Sequence, residues 1–191
     1  MKIVRYAETV RERIRDMKAY DRSGDQLAAD EAMERIIGFM ADIPSSGGKV
    51  IFIGNGGSAS IASHMAVDFW KNGKIKAVSF NDPSQLTCLS NDNGYENVFS
   101  IPIGFFAEEG DVLVAISSSG ASPSILNAAD EAREKKCRVV TLSGFKEDNP
   151  LKEKGDVNIF VADMSYGIVE TAHAMLCHYF LDSVIERQSD V

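Results

Sequence analysis

The sequence predicts an α/β fold: a parallel sheet covered on both faces by helices, behind an N-terminal helical leader. Three observations lead there. Five short runs rich in Val, Ile, Leu and Phe recur along the chain. Segments of helical length and composition separate them. The first 45 or so residues instead keep a helical spacing of apolar positions. Continuous apolar strands alternating with helices belong to parallel sheets buried on both sides.

The leader reads as two helices. Val4, Ala7, Val10 and Ile14 keep one apolar face, with Arg and Glu between them. SGDQ at 23–26 breaks the pattern, and Leu27, Ala28, Ala32, Ile36, Ile37 and Met40 resume it. PSSGG at 44–48 ends it. The strands follow as KVIFIG (49–54), IKAVSF (75–80), DVLVAI (111–116), CRVVTL (137–142) and DVNIFV (156–161). Residues 167–188 form a last, long helix. No internal repeat and no dividing linker interrupts the pattern, so one domain over 1–191 is expected, with 1–45 as the leader and 46–191 as the α/β core and last helix.

Composition narrows the function. Lys and Arg number 20 against 28 Asp and Glu, a formal net charge of −8. That balance argues against non-specific nucleic-acid binding, which depends on many cations. No apolar run approaches the roughly 20 residues needed to cross a bilayer. MKIVRYAETVRERIR places charges where a signal peptide would be apolar. A cytoplasmic protein is expected. Cys88, Cys137 and Cys177 are far apart and form neither a disulfide framework nor a paired zinc motif. Cys177 reads as a small buried residue rather than a nucleophile.

Two loops are suited to a phosphorylated ligand. Gly54-Asn55-Gly56-Gly57-Ser58 leaves a strand and opens a helix, where free backbone N–H groups favour anions and hydroxyls. Gly54, Gly56 and Ala59 also fit a loose dinucleotide pattern, but the acidic residue that pattern requires is met only by Asp82, which comes late. Ser117-Ser118-Ser119-Gly120-Ala121-Ser122-Pro123 follows another strand. Ser122 suits an N-cap and Pro123 the first helical position. Without the lysine of a P-loop, these hydroxyls make a neutral phosphate cradle rather than a nucleotide hydrolase. Ligands of open α/β sheets bind beyond the carboxyl ends of the strands, so the two loops are expected to share one crevice.

The chain has only three histidines: His64, His173 and His178. His64 and Asp68 share a helix face at i, i+4, a pair that can bind a metal, relay a proton or simply sit at a surface. On the last helix, Glu170 and His178 are about 12 Å apart along the axis, so one straight helix could hardly bring both to one ion. His173 points elsewhere and suits packing or a polar contact. Asn91 and Asp92 are expected in a loop between helical segments, with a turn or ligand role equally open.

Together, GNGGSASIASHMAVDF, SNDNGYENVFS, ISSSGASPSILNAADEAREKKCRVVTLSG and GIVETAHAMLCH resemble the sugar isomerase (SIS) family, most closely its phosphoheptose isomerase branch. The resemblance runs from about residue 2 to residue 186. It implies an SIS-type three-layer sandwich with a five-stranded parallel sheet, assembled as a homotetramer with sites between subunits. It implies that Asn55, Gly56, Gly57 and Ser58 line a sugar site and that Ser117, Ser118, Ser119 and Ser122 hold phosphate. Asn91, Asp92 and Glu170 match substrate-contacting positions. His64, Asp68, Glu170 and His178 match positions that bind zinc in many members, and Asp68 and His178 those assigned to acid–base catalysis.

The chain departs from the family in having Asp68 for Glu, Glu170 for Gln and Thr171 for Glu, and in replacing, near Gly167, an Asp often found just upstream. The activity implied is aldose–ketose isomerisation of sedoheptulose 7-phosphate to a heptose 7-phosphate through an ene-diol(ate). The alternatives are an isomerase of another phosphosugar, and a non-catalytic module binding sugar phosphate or a protein such as a replication initiator.

Overall fold

The computed structural model describes residues 2–189. Helix α1 (Ile3–Arg15) leads into a short hairpin of β1 (Lys18–Asp21) and β2 (Gln26–Leu27), followed by α2 (Ala29–Ala41) and the single turn α3 (Ile43–Ser46). The core then alternates: β3 (Val50–Gly54), α4 (Gly57–Lys71), β4 (Ala77–Ser79), α5 (Pro83–Asn93), α6 (Ser100–Phe106), β5 (Val112–Ser117), α7 (Pro123–Glu134), β6 (Arg138–Gly144) and β7 (Val157–Val161). The 24-residue α8 (Tyr166–Ser189) closes the described chain.

Each of the five expected strands forms, and β3 to β7 pair in parallel in the order β7-β6-β5-β3-β4. The sheet nevertheless has seven strands rather than five, because β1 adds antiparallel to β7 and β2 to β1. The segment read as a plain break between two helices is therefore a hairpin. Its turn is organised by Asp21, whose carboxylate accepts from the N–H groups of Ser23 and Asp25 at 2.8 and 3.0 Å. Ala19 and Tyr20 are buried against the sheet. Leu27 lies on β2 and Ala28 precedes α2, so neither belongs to the helix expected there.

Strand residues alternate between two cores. Val50, Phe52, Val112, Val114 and Ile116 face α2, α4 and α8, where Ile36, Met40, Phe69 and Phe180 are buried. Ile51, Ile53, Leu113 and Ala115 face the opposite layer, among Ile103, Ile125 and Ala129. Burial on both sides is why the central strands are apolar throughout. At the amino end of β5, Asp111 is fully buried. It pairs with Lys49 Nζ at 2.7 Å and accepts from the N–H groups of Lys49 and Glu108 at 2.8 and 2.9 Å. It thereby locks the starts of β3 and β5 together.

Among the described residues no helix is long and apolar enough to cross a membrane. All three cysteines are free. Burial pushes the Cys177 thiol up to about 12, which suits a packing role.

Candidate active site

The carboxyl ends of β3 and β5 lie side by side, with Gly54 opposite Ile116. The two loops that leave them therefore meet. Between them lies a cavity of about 240 Å³, lined by Asn55, Gly56, Gly57, Ser58, Ile116, Ser117, Ser118, Ser119, Ser122, Tyr166 and Glu170. Every residue expected from the glycine loop and the serine loop lies in this wall.

Each loop is held from outside. The Asn55 amide donates to Ser124 Oγ at 3.0 Å, and its carbonyl oxygen accepts from the Tyr95 hydroxyl at 2.7 Å. One side chain thus ties the glycine loop to the first turn of α7. The Ser117 hydroxyl accepts from Gly120 N–H at 3.2 Å, and the Ser119 hydroxyl from Ala121 N–H at 3.3 Å. Ser118 Oγ is buried with no hydrogen-bond partner. A buried hydroxyl left unpaired costs about 1–3 kcal/mol, so it points to a ligand oxygen in the cavity.

Ser122 occupies the N-cap position of α7 with Pro123 next, but its hydroxyl makes no capping bond, contrary to the expectation from sequence. The missing cap leaves that hydroxyl free on the cavity wall. Among the described lining residues Glu170 alone bears a charged side chain, so the serine cradle is neutral.

Glu170 reaches this wall because α8 runs alongside α4 from its first turn. A Cβ added at Gly57 would meet the Glu170 carboxylate, which therefore lies directly against this glycine. Tyr166 stands one helical turn before Glu170 and lines the same cavity. It was missed from sequence, although the i, i+4 spacing to Glu170 was visible. Its ring packs edge-on against Phe145 at 4.8 Å.

A second constellation lies further along the same two helices. His64 Nε2 is 3.3 Å from Asp68 Oδ2, and His178 Nδ1 is 4.0 Å from the same oxygen. The two imidazoles meet edge-on with centroids 5.5 Å apart. One donor atom from each of the three residues falls within 4.8 Å of the other two. Asp68 is largely covered, while both histidines are exposed. Two nitrogens and one carboxylate oxygen fit the ligand preferences of zinc and leave a fourth position open. Glu170, the fourth position implied by resemblance, does not lie in this group within one chain. Eight residues of α8 separate it from His178, about 12 Å along the axis.

Other expectations are also corrected. Asn91 and Asp92 lie in the last turn of α5, not in a loop, and are exposed outside the cavity wall, with Asn91 Nδ2 donating to Asp92 Oδ1 at 2.7 Å. Asp82 caps α5 by accepting from the N–H groups of Ser84 and Gln85 at 2.9 and 3.1 Å, which accounts for it without a ribose. Thr171 donates back to the Gly167 carbonyl at 2.6 Å and faces solvent.

His173 is fully buried, with Nε2 3.2 Å from the Ser143 carbonyl. It packs inside the core, and burial pushes its pKa down to about 4.

A family model described as SIS domain matches residues 6–144. The phosphoheptose isomerase of Sodalis glossinidius (strain morsitans) is 38% identical over 166 residues, covering 83% of this chain and 84% of that protein. The phosphoheptose isomerase of Serratia proteamaculans (strain 568) is 37% identical over 166 residues, with the same coverage of 83% and 84%. Among solved structures, phosphoheptose isomerase GmhA from Neisseria gonorrhoeae superposes with a TM-score of 0.81 at 27% identity, covering 95% of this chain and 94% of that one.

Proposed function

This chain belongs to the SIS domain family, and from that membership we propose that it is an aldose–ketose isomerase converting sedoheptulose 7-phosphate to a heptose 7-phosphate. The observation that carries the reading is a neutral cradle with an orphaned hydroxyl, at Ser118, in a cavity also lined by the first turns of α4 and α8, the two helices that carry the His64–Asp68–His178 cluster. The phosphate is assigned to Ser117, Ser118, Ser119 and Ser122 beside the amino end of α7, where hydroxyls and helix N–H groups favour an anion without a counter-cation. Asn55, Gly56, Gly57, Ser58 and Glu170 are assigned to the sugar chain. Asn91 and Asp92 are kept as substrate contacts, although they lie outside the cavity wall of their own chain.

The chemistry needs one proton removed beside the ketose carbonyl and one returned at the neighbouring carbon, through an ene-diol(ate). Asp68 and His178 are assigned to these transfers, since imidazole and carboxylate are the side chains most often used as general acids and bases. His64 orients Asp68 by its contact at 3.3 Å. Zinc, where bound, would be held by His64, Asp68 and His178 and would polarise the carbonyl. Glu170, on the cradle wall, and His178, in the cluster, are about 12 Å apart along α8. Support for an intersubunit site in a homotetramer comes from that separation, with the cluster of one subunit serving the cradle of its neighbour. The reaction is assigned to the cytoplasm, where free thiols such as Cys88 persist.

The test is an assay of purified protein with sedoheptulose 7-phosphate, with zinc and separately with chelator, read by NMR for the aldose and its C2 configuration. Asp68→Asn and His178→Ala are expected to lower kcat by about 10²–10⁴-fold, the usual worth of a general acid or base. Sugar phosphate that binds without turnover under either metal condition would overturn the assignment.

A further inference from the structure

The opposite end of the sheet carries a second cavity, of about 350 Å³, lined by Arg22, Glu109, Gly110, Arg133, Lys136, Cys137, Arg138 and Asp156. It lies at the amino ends of β5, β6 and β7, about 20 Å along β5 from the serine loop. Four cationic side chains face two carboxylates there, in a chain whose net charge is −8.

Both carboxylates are already engaged. Asp156 Oδ2 accepts from Val139 N–H at 2.8 Å, and Glu109 pairs with Lys136 at 3.0 Å. Among the described residues, none of the three guanidinium groups is paired with a carboxylate. Two of the three are already oriented. Arg138 stacks over the Phe39 ring at 5.3 Å, and Arg133 donates to the Lys154 carbonyl. Arg22 projects from the turn of the β1–β2 hairpin. The hairpin that extends the sheet beyond five strands therefore also supplies one wall of this cavity.

We propose that this cavity is a binding site for a small phosphoanhydride anion, separate from the serine cradle. Planar guanidinium groups match phosphate oxygens two at a time, and groups already held by stacking or a carbonyl lose less freedom on binding. Four cations around one cavity, two of them held in place, favour a ligand with several negative charges over a single phosphate monoester. Pyrophosphate and the diphosphate of a nucleotide share this chemistry.

Calorimetric titration of the full chain with sodium pyrophosphate tests the site, in the wild type and in the Arg22→Gln/Arg138→Gln double variant. Any binding to the serine cradle is common to both proteins, so the difference reports this cavity. The wild type is expected to bind at least tenfold more tightly than the double variant, and Arg22→Gln alone, at an exposed turn, to give part of that loss. A parallel titration with ADP shows the same loss, and tighter binding of ADP than of pyrophosphate marks a nucleotide source. Isomerase activity measured without added anion is expected to be equal in the two proteins. Equal pyrophosphate affinity in the wild type and the variants, or none in the wild type, would overturn the proposal.

Discussion

Asp111 and His173 show how one buried polar side chain sets stability. Asp111 holds the starts of two central strands with one ion pair and two backbone hydrogen bonds. Removing its carboxylate leaves Lys49 and two N–H groups unpaired in the interior. Asp111→Ala is expected to cost about 3–5 kcal/mol in urea denaturation, the usual result of breaking a buried pair on one side. His173 acts through protonation. Burial holds it neutral down to about pH 4, whereas an unfolded chain takes up the proton near 6.5. Between those values the unfolded state binds more protons, so stability falls as pH drops. That contribution reaches roughly 3 kcal/mol at the acid end. Comparing the urea stability of wild type and His173→Leu at pH 7.5 and pH 4.5 checks it, since the variant should lose this part of the slope. Asp111 and His173 were both visible in the sequence, but their burial was not. Only the packed sheet takes water away from them.

The segment after β6 braces the serine loop. Asn149 is buried, donating to the Lys146 carbonyl at 2.8 Å and Ser143 Oγ at 3.3 Å, and accepting from Lys152 N–H at 3.2 Å. It presses on the serine loop at Gly120, whose φ is +62° and whose added Cβ would fall 2.1 Å from Asn149 Oδ1. The Gly120 carbonyl in turn accepts from Leu151 N–H at 3.0 Å. Asn149→Ala is expected to raise KM for the phosphosugar about tenfold, equivalent to 1.4 kcal/mol, while leaving kcat near that of wild type. A fall in kcat with unchanged KM would contradict this bracing role. The serine loop announced itself in sequence by its hydroxyls and its place after an apolar strand. Its brace, 29 residues later, carries no such signal, because an asparagine before proline reads as any turn.

At the scale of the whole molecule, the proposed reaction pairs the serine cradle of one subunit with the His64–Asp68–His178 cluster of its neighbour. Ser118→Ala is expected to weaken phosphate binding and His178→Ala to abolish proton transfer. Unfolding and refolding the two variants together should restore wild-type sites, about a quarter of the total for random assembly of two-chain sites. No recovery, from material that light scattering shows to be a mixed oligomer, would place the whole site within one chain. The exposed Phe105, Phe106, Tyr166 and Met175 are further candidates for subunit contacts.

What the sequence determined by itself was local or periodic. The five apolar strands, the helices between them and the two ligand loops follow from patterns a few residues long, and all five strands formed. The glycine and serine loops were placed at the ends of their strands by the same patterns, and parallel pairing brought them together. Tertiary structure decided the rest. The β1–β2 hairpin formed because the free edge of β7 offered backbone partners to a segment with weak strand character of its own. Glu170 fell to the cradle and His178 to the cluster because α8 is one rigid helix lying along α4, and its rise of 1.5 Å per residue fixes their separation. No local pattern encodes which side chains two packed helices bring together, since that depends on how the helices cross.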